Sequence, residues 1–240
     1  MPELTRLGAA GGDDIASLHR DLQEPPVHEG RPHVGLNFVM TADGRVSYDG
    51  RAEIGTRTDR ALMAQLRSLA DAVMIGAGTL RVDPFTPSVR GRERQPLAVV
   101  VSRTCDLPLD NRFFAHPGER LVATAASAPA AAVAAVRAAG ARVQLFGETE
   151  VDLGRLLRAL RDGGIRFLLC EGGPTLAGQL LAGRWVDELF LTHATLITAE
   201  PDARRLFEGP RRPGGTARLE RVSLHEHAGE WYERSRVRYG

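Results

Sequence analysis

Two stretches combine the residue types and spacing that chemistry needs. In FLLCEGGPTLAGQLL, Phe167 to Leu181, a short apolar run meets an acid, two glycines, a proline and a threonine before an apolar periodic stretch resumes. Gly172 and Gly173 let the backbone turn sharply and lie close to a ligand, and Pro174 suits a first helical turn, where its missing N–H costs nothing. A strand-to-helix turn of this kind aims free backbone N–H groups, and the positive end of the helix dipole, at an anion such as a phosphate. Glu171 would repel that anion, so the spacing directs it past the phosphate toward a hydrogen-bond donor. The alternative is a purely structural turn in which Glu171 caps neighbouring amides. IGAGTL, Ile75 to Leu80, supplies a second such turn through Gly76 and Gly78, without the third glycine of a dinucleotide fingerprint. Both turns follow apolar strands, and in a parallel sheet strand C-termini share the edge where ligands bind. Thr79 and Thr175 could each offer a hydroxyl to a phosphate oxygen.

Other candidates carry weaker signals. MTADGR, Met40 to Arg45, contains the turn pair Asp43–Gly44, and TLRVDPFTPSVRGR places Asp83, Arg90 and Arg92 in a proline-containing loop beside the second glycine turn. Arginine forks match phosphate geometry, although exposed arginines are commonly just solvated. His225 and His227 alternate on one strand and could face one metal ion, but no third ligand presents itself, so no metal is expected. The Pro-Cys-x-x-Cys of a zinc deaminase, the G-x-S-x-G elbow and the lysine phosphate loop are all absent.

The elements that must position these residues can be read from periodicity. HVGLNFV, DAVMIG, PLAVVVS, RLVATA, ARVQLF and RFLLC are short apolar runs of strand length. TRTDRALMAQLRSLA is an amphipathic helix with Thr56 or Thr58 as cap and Leu62, Leu66 and Leu69 on one stripe, and APAAAVAAVRAAG and VDLGRLLRALRDGG are further helices. Strands alternating with helices predict a largely parallel sheet covered on both faces. VDELFLTHATLI reads as a late strand, and RLERVSLHEH and EWYERSRVRYG as a terminal hairpin turning near Ala228–Gly229. Residues 1–31 read as a polar N-terminal extension in which DDIASLHRDLQ forms a short helix, leaving 32–240 as one domain.

Composition narrows the setting. A chain of 240 residues can bury one substantial α/β core, and a net charge of +1 argues against a general nucleic-acid or membrane-surface binder. Cys105 and Cys170 lie far apart, and no apolar stretch approaches the roughly 18 residues of a spanning helix. A reduced, cytoplasmic setting is the expectation.

NFVMTADGRVS, LRSLADAVMIGAGTLRVDP and LLCEGGPTLAGQLL…VDELFLT, taken in that order, resemble the reductase domain of bacterial riboflavin biosynthesis, within the dihydrofolate-reductase-like superfamily. The resemblance runs from about Arg31 to the C-terminus. It implies an α/β fold with a mixed, mostly parallel sheet, helices on both faces and a C-terminal antiparallel hairpin. It also implies NADPH-dependent reduction of the ribosyl group of 5-amino-6-(5-phosphoribosylamino)uracil, a phosphorylated pyrimidine, to a ribityl chain by a stand-alone reductase and homodimer. Carried over by position, it assigns Met40, Thr79, Asp83, Ser102 and Gly173 to Leu176, with Pro174 and Thr175, to the cofactor, alongside Gly76, Gly78 and Gly172 of the two turns. Arg103, beside Ser102, is placed for the cofactor's 2′-phosphate. Arg67, Arg90 and Glu171 are assigned to the substrate; at the reacting centre Asn37 holds the position near the sugar, and Asp43, Glu171 or a bound water are the candidates to deliver the proton. Asn37 stands where many relatives have lysine, TADG replaces SLDG, and the DPFTPSVR loop is one residue short. These departures keep open a different pyrimidine or pterin substrate, or a nucleotide-binding homologue without catalysis.

Overall fold

The computed structural model describes residues 3–7, 12–47, 54–209 and 216–240, so the end of the possible extended segment in MTADGRVSYDG lies outside the described residues. In chain order the elements are β1 (Glu3–Arg6), β2 (Gly12–Asp14), β3 (His33–Met40), α1 (Arg57–Leu69), β4 (Ala72–Gly76), α2 (Ala77–Val82) and β5 (Leu97–Val101). They continue with β6 (Arg120–Thr124), α3 (Ala130–Ala138), β7 (Arg142–Leu145), α4 (Leu153–Asp162), β8 (Phe167–Cys170) and α5 (Pro174–Ala182). The chain closes with β9 (Glu188–His193), β10 (Ala217–His227) and β11 (Glu230–Tyr239). DDIASLHRDLQ differs from the expected helix. Asp14 caps Ala16 in a single 3₁₀ turn, His19 then takes a left-handed φ of 60°, and a second 3₁₀ turn follows at Arg20–Gln23. A β-region or left-handed residue every few positions prevents an α-helical ladder from propagating.

The strands form one sheet in the order β2-β1-β10-β11-β9-β3-β8-β4-β5-β6-β7. From β9 to β7 every pairing is parallel, while β11, β10, β1 and β2 add antiparallel pairings. This is the mixed, mostly parallel sheet with a terminal hairpin that the sequence implied. Central strands are apolar on both sides because both faces are covered. On one face Val34, Leu36, Leu168 and Cys170 meet Leu156 and Leu160 of α4 and Leu176 and Leu180 of α5. On the other, Val73, Ile75 and Leu169 meet Leu66 of α1 and Val136 of α3. Residues 15–22 cover that second face further along: Ile15 and Leu18 cluster with Leu62 and Tyr232, and Leu22 joins the core. Thr56 caps α1 by accepting from the Thr58 N–H.

Candidate functional site

The two glycine turns meet at the C-terminal edge of the sheet. The Gly76 N–H donates to the Gly172 carbonyl at 2.8 Å, tying one turn to the other. Gly172 has a φ of +100°, a conformation side chains disfavour, and the Gly172–Gly173 peptide is cis. A Cβ on Gly173 would stand 2.9 Å from Thr79 Oγ1, so a side chain there would press on the threonine of the other turn. The expected turn at Gly76–Thr79 is itself the start of α2, with Gly76 as N-cap, as Gly173 is for α5, and neither helix has a side-chain cap. Their first turns, without such caps, line the opening between them, and Pro174 at the start of α5 has no N–H to satisfy.

That opening is a cleft of about 700 Å³. Gly76, Gly78, Thr79 and Asp83 form one wall and Gly173, Pro174, Thr175 and Leu176 the facing one, with Ser102 and Arg103 beyond them. Ser102 is buried, and its hydroxyl accepts from the Cys105 N–H at 3.1 Å. Arg103 is largely exposed at the rim, 3.7 Å from Glu150. Two expected cofactor residues do not line the cleft. Met40 is packed on the core at the end of β3, and Gly172 sits behind the wall against Phe38.

Glu171 leaves the strand on the α1 side of the sheet and is gripped by Arg67: Nε donates to Oε1 at 2.7 Å and Nη2 to Oε2 at 2.6 Å. The Glu171 and Arg67 side chains are 8% and 17% exposed, so the pair is largely desolvated. Burial disfavours the Arg67 cation, and the Glu171 charge more than offsets this, holding it above the usual range. Glu171 therefore is not a helix cap, and the two expected substrate residues are partners of one another. Arg67 also donates to the Thr86 carbonyl at 3.2 Å, which ties the loop after α2 to the pair.

Three other expected site residues stand outside this cleft, as Arg67 and Glu171 themselves do. Asp43 lies outside the cleft lining and is a loop anchor: it accepts from Thr41 Oγ1 at 2.7 Å, from the Thr198 and Ala199 N–H groups at 3.3 and 3.1 Å, and from Thr198 Oγ1 at 3.3 Å. The Thr41 hydroxyl and those amides hold its carboxyl down at about 2, which removes it as a proton donor near neutrality. Asn37 faces a small recess under the N-terminal segment, with His19, Phe190 and Arg234 around it, away from the cleft. Arg90 is exposed on its loop and does not line the cleft. Its neighbour Arg92 instead caps the C-terminus of α1, donating to the Ala70 carbonyl at 2.7 Å.

Residues 32–230 match the sequence profile of the RibD C-terminal domain. The chain belongs to the RibD C-terminal domain family. It is 32% identical over 192 residues to the 2,5-diamino-6-ribosylamino-4(3H)-pyrimidinone 5′-phosphate reductase of Archaeoglobus fulgidus, covering 75% of this chain and 87% of the relative. It is 34% identical to the protein of the same name from Methanothermobacter thermautotrophicus, covering 75% and 85%. A crystal structure of a pyrimidine reductase-like protein from Corynebacterium diphtheriae superposes with a TM-score of 0.77 at 24% identity, over 87% of this chain and 93% of that one. The resemblance to riboflavin-biosynthesis reductases and the dihydrofolate-reductase-like fold are thereby borne out, and the chain is an oxidoreductase of this family.

Within this RibD C-terminal domain the structure adds residues that periodicity and motif reading passed over. Asp59, in the first turn of α1, bonds Thr192 of β9. Burial pushes its carboxyl up to about 6 against that hydrogen bond, and the Glu230 and Glu171 charges add to the rise. Its one sequence signal was its place three residues after the Thr56 cap. Arg204 lines the cleft and donates from Nη2 to Thr175 Oγ1 at 3.1 Å. No sequence signal joins it to Thr175, because only the fold brings the two loops together.

Proposed function

We propose that this chain uses NADPH to reduce the ribosyl group of a phosphoribosylaminopyrimidine to a ribityl chain. The observation that carries this reading is the paired-turn cleft standing beside the Glu171–Arg67 pair in a chain with reductase relatives. The cleft suits a dinucleotide: a wall without side chains at Gly173, hydroxyls at Thr79 and Thr175, and uncapped amides of α5. Bound there, the cofactor supplies a hydride. Gly173 to Leu176 would hold its diphosphate, and Ser102 and Arg103 its adenosine end. Arg67 and Glu171 offer a cation to the substrate phosphate and an acceptor to pyrimidine N–H groups. A proton must also be delivered, and with Asp43 tied into its loop we assign it to Asp59, which stands close enough to Glu171 for that charge to help raise its carboxyl to about 6.

The relatives' names favour the 2,5-diaminopyrimidinone over 5-amino-6-(5-phosphoribosylamino)uracil. The two rings differ at C2, amino against oxo, and an amino group beside a ring N–H offers a carboxylate two parallel donors. Absorbance loss of NADPH with each pyrimidine phosphate, and with dihydrofolate as contrast, tests the reading. Turnover of either pyrimidine supports it, and NADPH oxidation with dihydrofolate alone rejects it. Among the described residues no helix is long and apolar enough to cross a membrane. We place the enzyme in the cytoplasm as a homodimer, with residues 32–240 as the reductase domain and 1–31 as its extension. The half-exposed Trp231 and Leu219 on the C-terminal strands are available for pairing, and light scattering of the purified protein reads the assembly state.

A further inference from the structure

Residues 41–47 and 194–206 are far apart in sequence and zipped together in space. The Ala42 N–H donates to the Leu196 carbonyl at 2.8 Å and the Val46 N–H to the Arg204 carbonyl at 2.9 Å. The Arg45 guanidinium bonds the Ala203 carbonyl at 2.8 Å, and the Arg204 N–H bonds Ser47 Oγ at 2.9 Å. Asp43 closes the end of this zip through Thr198 and Ala199. The joined loops form a wall of the cleft through Val46, Ser47, Ala203 and Arg204. Beyond them the chain folds back on α5: the Glu208 N–H donates to the Pro174 carbonyl at 3.1 Å, and a Cβ on Gly178 would collide with the Glu208 carbonyl oxygen. Glu208 meets Arg204 Nε at 2.7 Å, so the guanidinium is held between Glu208 and Thr175 at the first turn of α5. Its Nη1 carries no hydrogen bond among the described residues.

We propose that Arg204 is the cation that grips the dinucleotide diphosphate over the first turn of α5, and that Asp43 is the positioning residue that latches it there. The inference rests on the NADPH reading above. A guanidinium beside uncapped helix amides matches a diphosphate in charge and fork geometry, and its orientation is already fixed by Glu208 and Thr175 before ligand arrives. The diphosphate is common to NADPH and NADH, so the contact serves both.

Calorimetric titration with NADPH and with NADH tests this. Arg204→Met should weaken both cofactors by about 10-fold or more, as for a hydrogen bond to a charged group, and Arg204→Lys should recover part of the loss. Asp43→Asn should raise the KM for NADPH while lowering kcat far less, with the KM for the pyrimidine held. Gly178→Ala, at a position outside the cleft, should weaken cofactor binding even though alanine suits a helix interior better than glycine. Unchanged affinity in a folded Arg204→Met protein overturns the proposal and leaves the NADPH reading standing. A loss confined to NADPH also overturns it, because it would put Arg204 on the 2′-phosphate. Failure of the unaltered chain to bind either cofactor overturns both.

Discussion

Glu171 stands where a carboxylate is least expected, at the mouth of a glycine turn with uncapped helix amides, and Arg67 explains how the fold tolerates it. The fork neutralises the acid and turns it away from the turn's amides. Glu171→Gln should cut turnover sharply, by about 10-fold or more for a desolvated contact with substrate N–H groups, while cofactor affinity holds. It should also lower stability by about 2 kcal/mol, since the mostly buried Arg67 loses its counter-charge. The double variant Arg67→Met with Glu171→Gln should recover part of the melt and none of the rate. A single variant with wild-type rate and melt would remove Glu171 from the site. Acid titration of stability separates two other residues. Burial and then the Arg234 charge push His19 down to about 4, from the usual 6.5 of a free imidazole. Below 6.5 the unfolded chain takes up a proton that the fold refuses until about 4, so His19 erodes stability as pH falls through that window. Asp59 acts with the opposite sign: the fold protonates it at about 6 while the unfolded chain waits until near 3.8, so acid favours the fold there. Melts from pH 7 to pH 4 should therefore show a shallower acid loss in His19→Ala and a steeper one in Asp59→Asn.

Strands and helices with clear periodicity were legible from the chain, and their ends follow the expected signals: Thr56 caps α1, Pro174 opens α5, and Ala228–Gly229 turn the hairpin. What periodicity could not show is that the two glycine turns are one structure, joined through Gly76 and Gly172. Contact between turns nearly a hundred residues apart depends on β8 inserting between β3 and β4, which no local pattern specifies. Gly173→Val therefore acts on both turns. Its side chain would press on Thr79 Oγ1 and fill the space before the α5 amides. NADPH binding should be lost while the far-ultraviolet spectrum and the melt change little, because the cores under α4 and α5 are untouched. Retained NADPH affinity in a folded variant would make the turn a purely structural one.

At the scale of the whole molecule, the N-terminal segment proves to be built into the sheet. β1 pairs with β10, Asp13 meets His225 at 2.9 Å, and Asp21 forks onto Arg234 at 2.7 Å through both terminal nitrogens. Arg234 is buried and also holds Glu188, itself buried, at 2.7 and 3.0 Å. Loss of charge at the two acids should differ in cost. Glu188→Gln leaves a buried cation undercompensated and should cost about 3 kcal/mol. Asp21 is mostly exposed, so Asp21→Asn should cost about 1 kcal/mol or less. Equal losses in denaturant unfolding would mean that the segment, and not burial, sets the energetics. The sequence alone determined the fold class, most of the strands and helices from His33 onward and the residues of both glycine turns, because these depend on local periodicity and on short-range backbone requirements, and the ordered motifs carried the family resemblance; β1, β2 and the 3₁₀ turns of the N-terminal segment were not legible. Tertiary structure decided the pairing of Glu171 with Arg67, the loop contacts of Asp43 with Thr198 and Ala199, the place of Arg204 and the burial of Asp59. Each of those depends on which distant groups share a desolvated space, where the dielectric and the nearest charge, rather than residue type, set what a side chain can do.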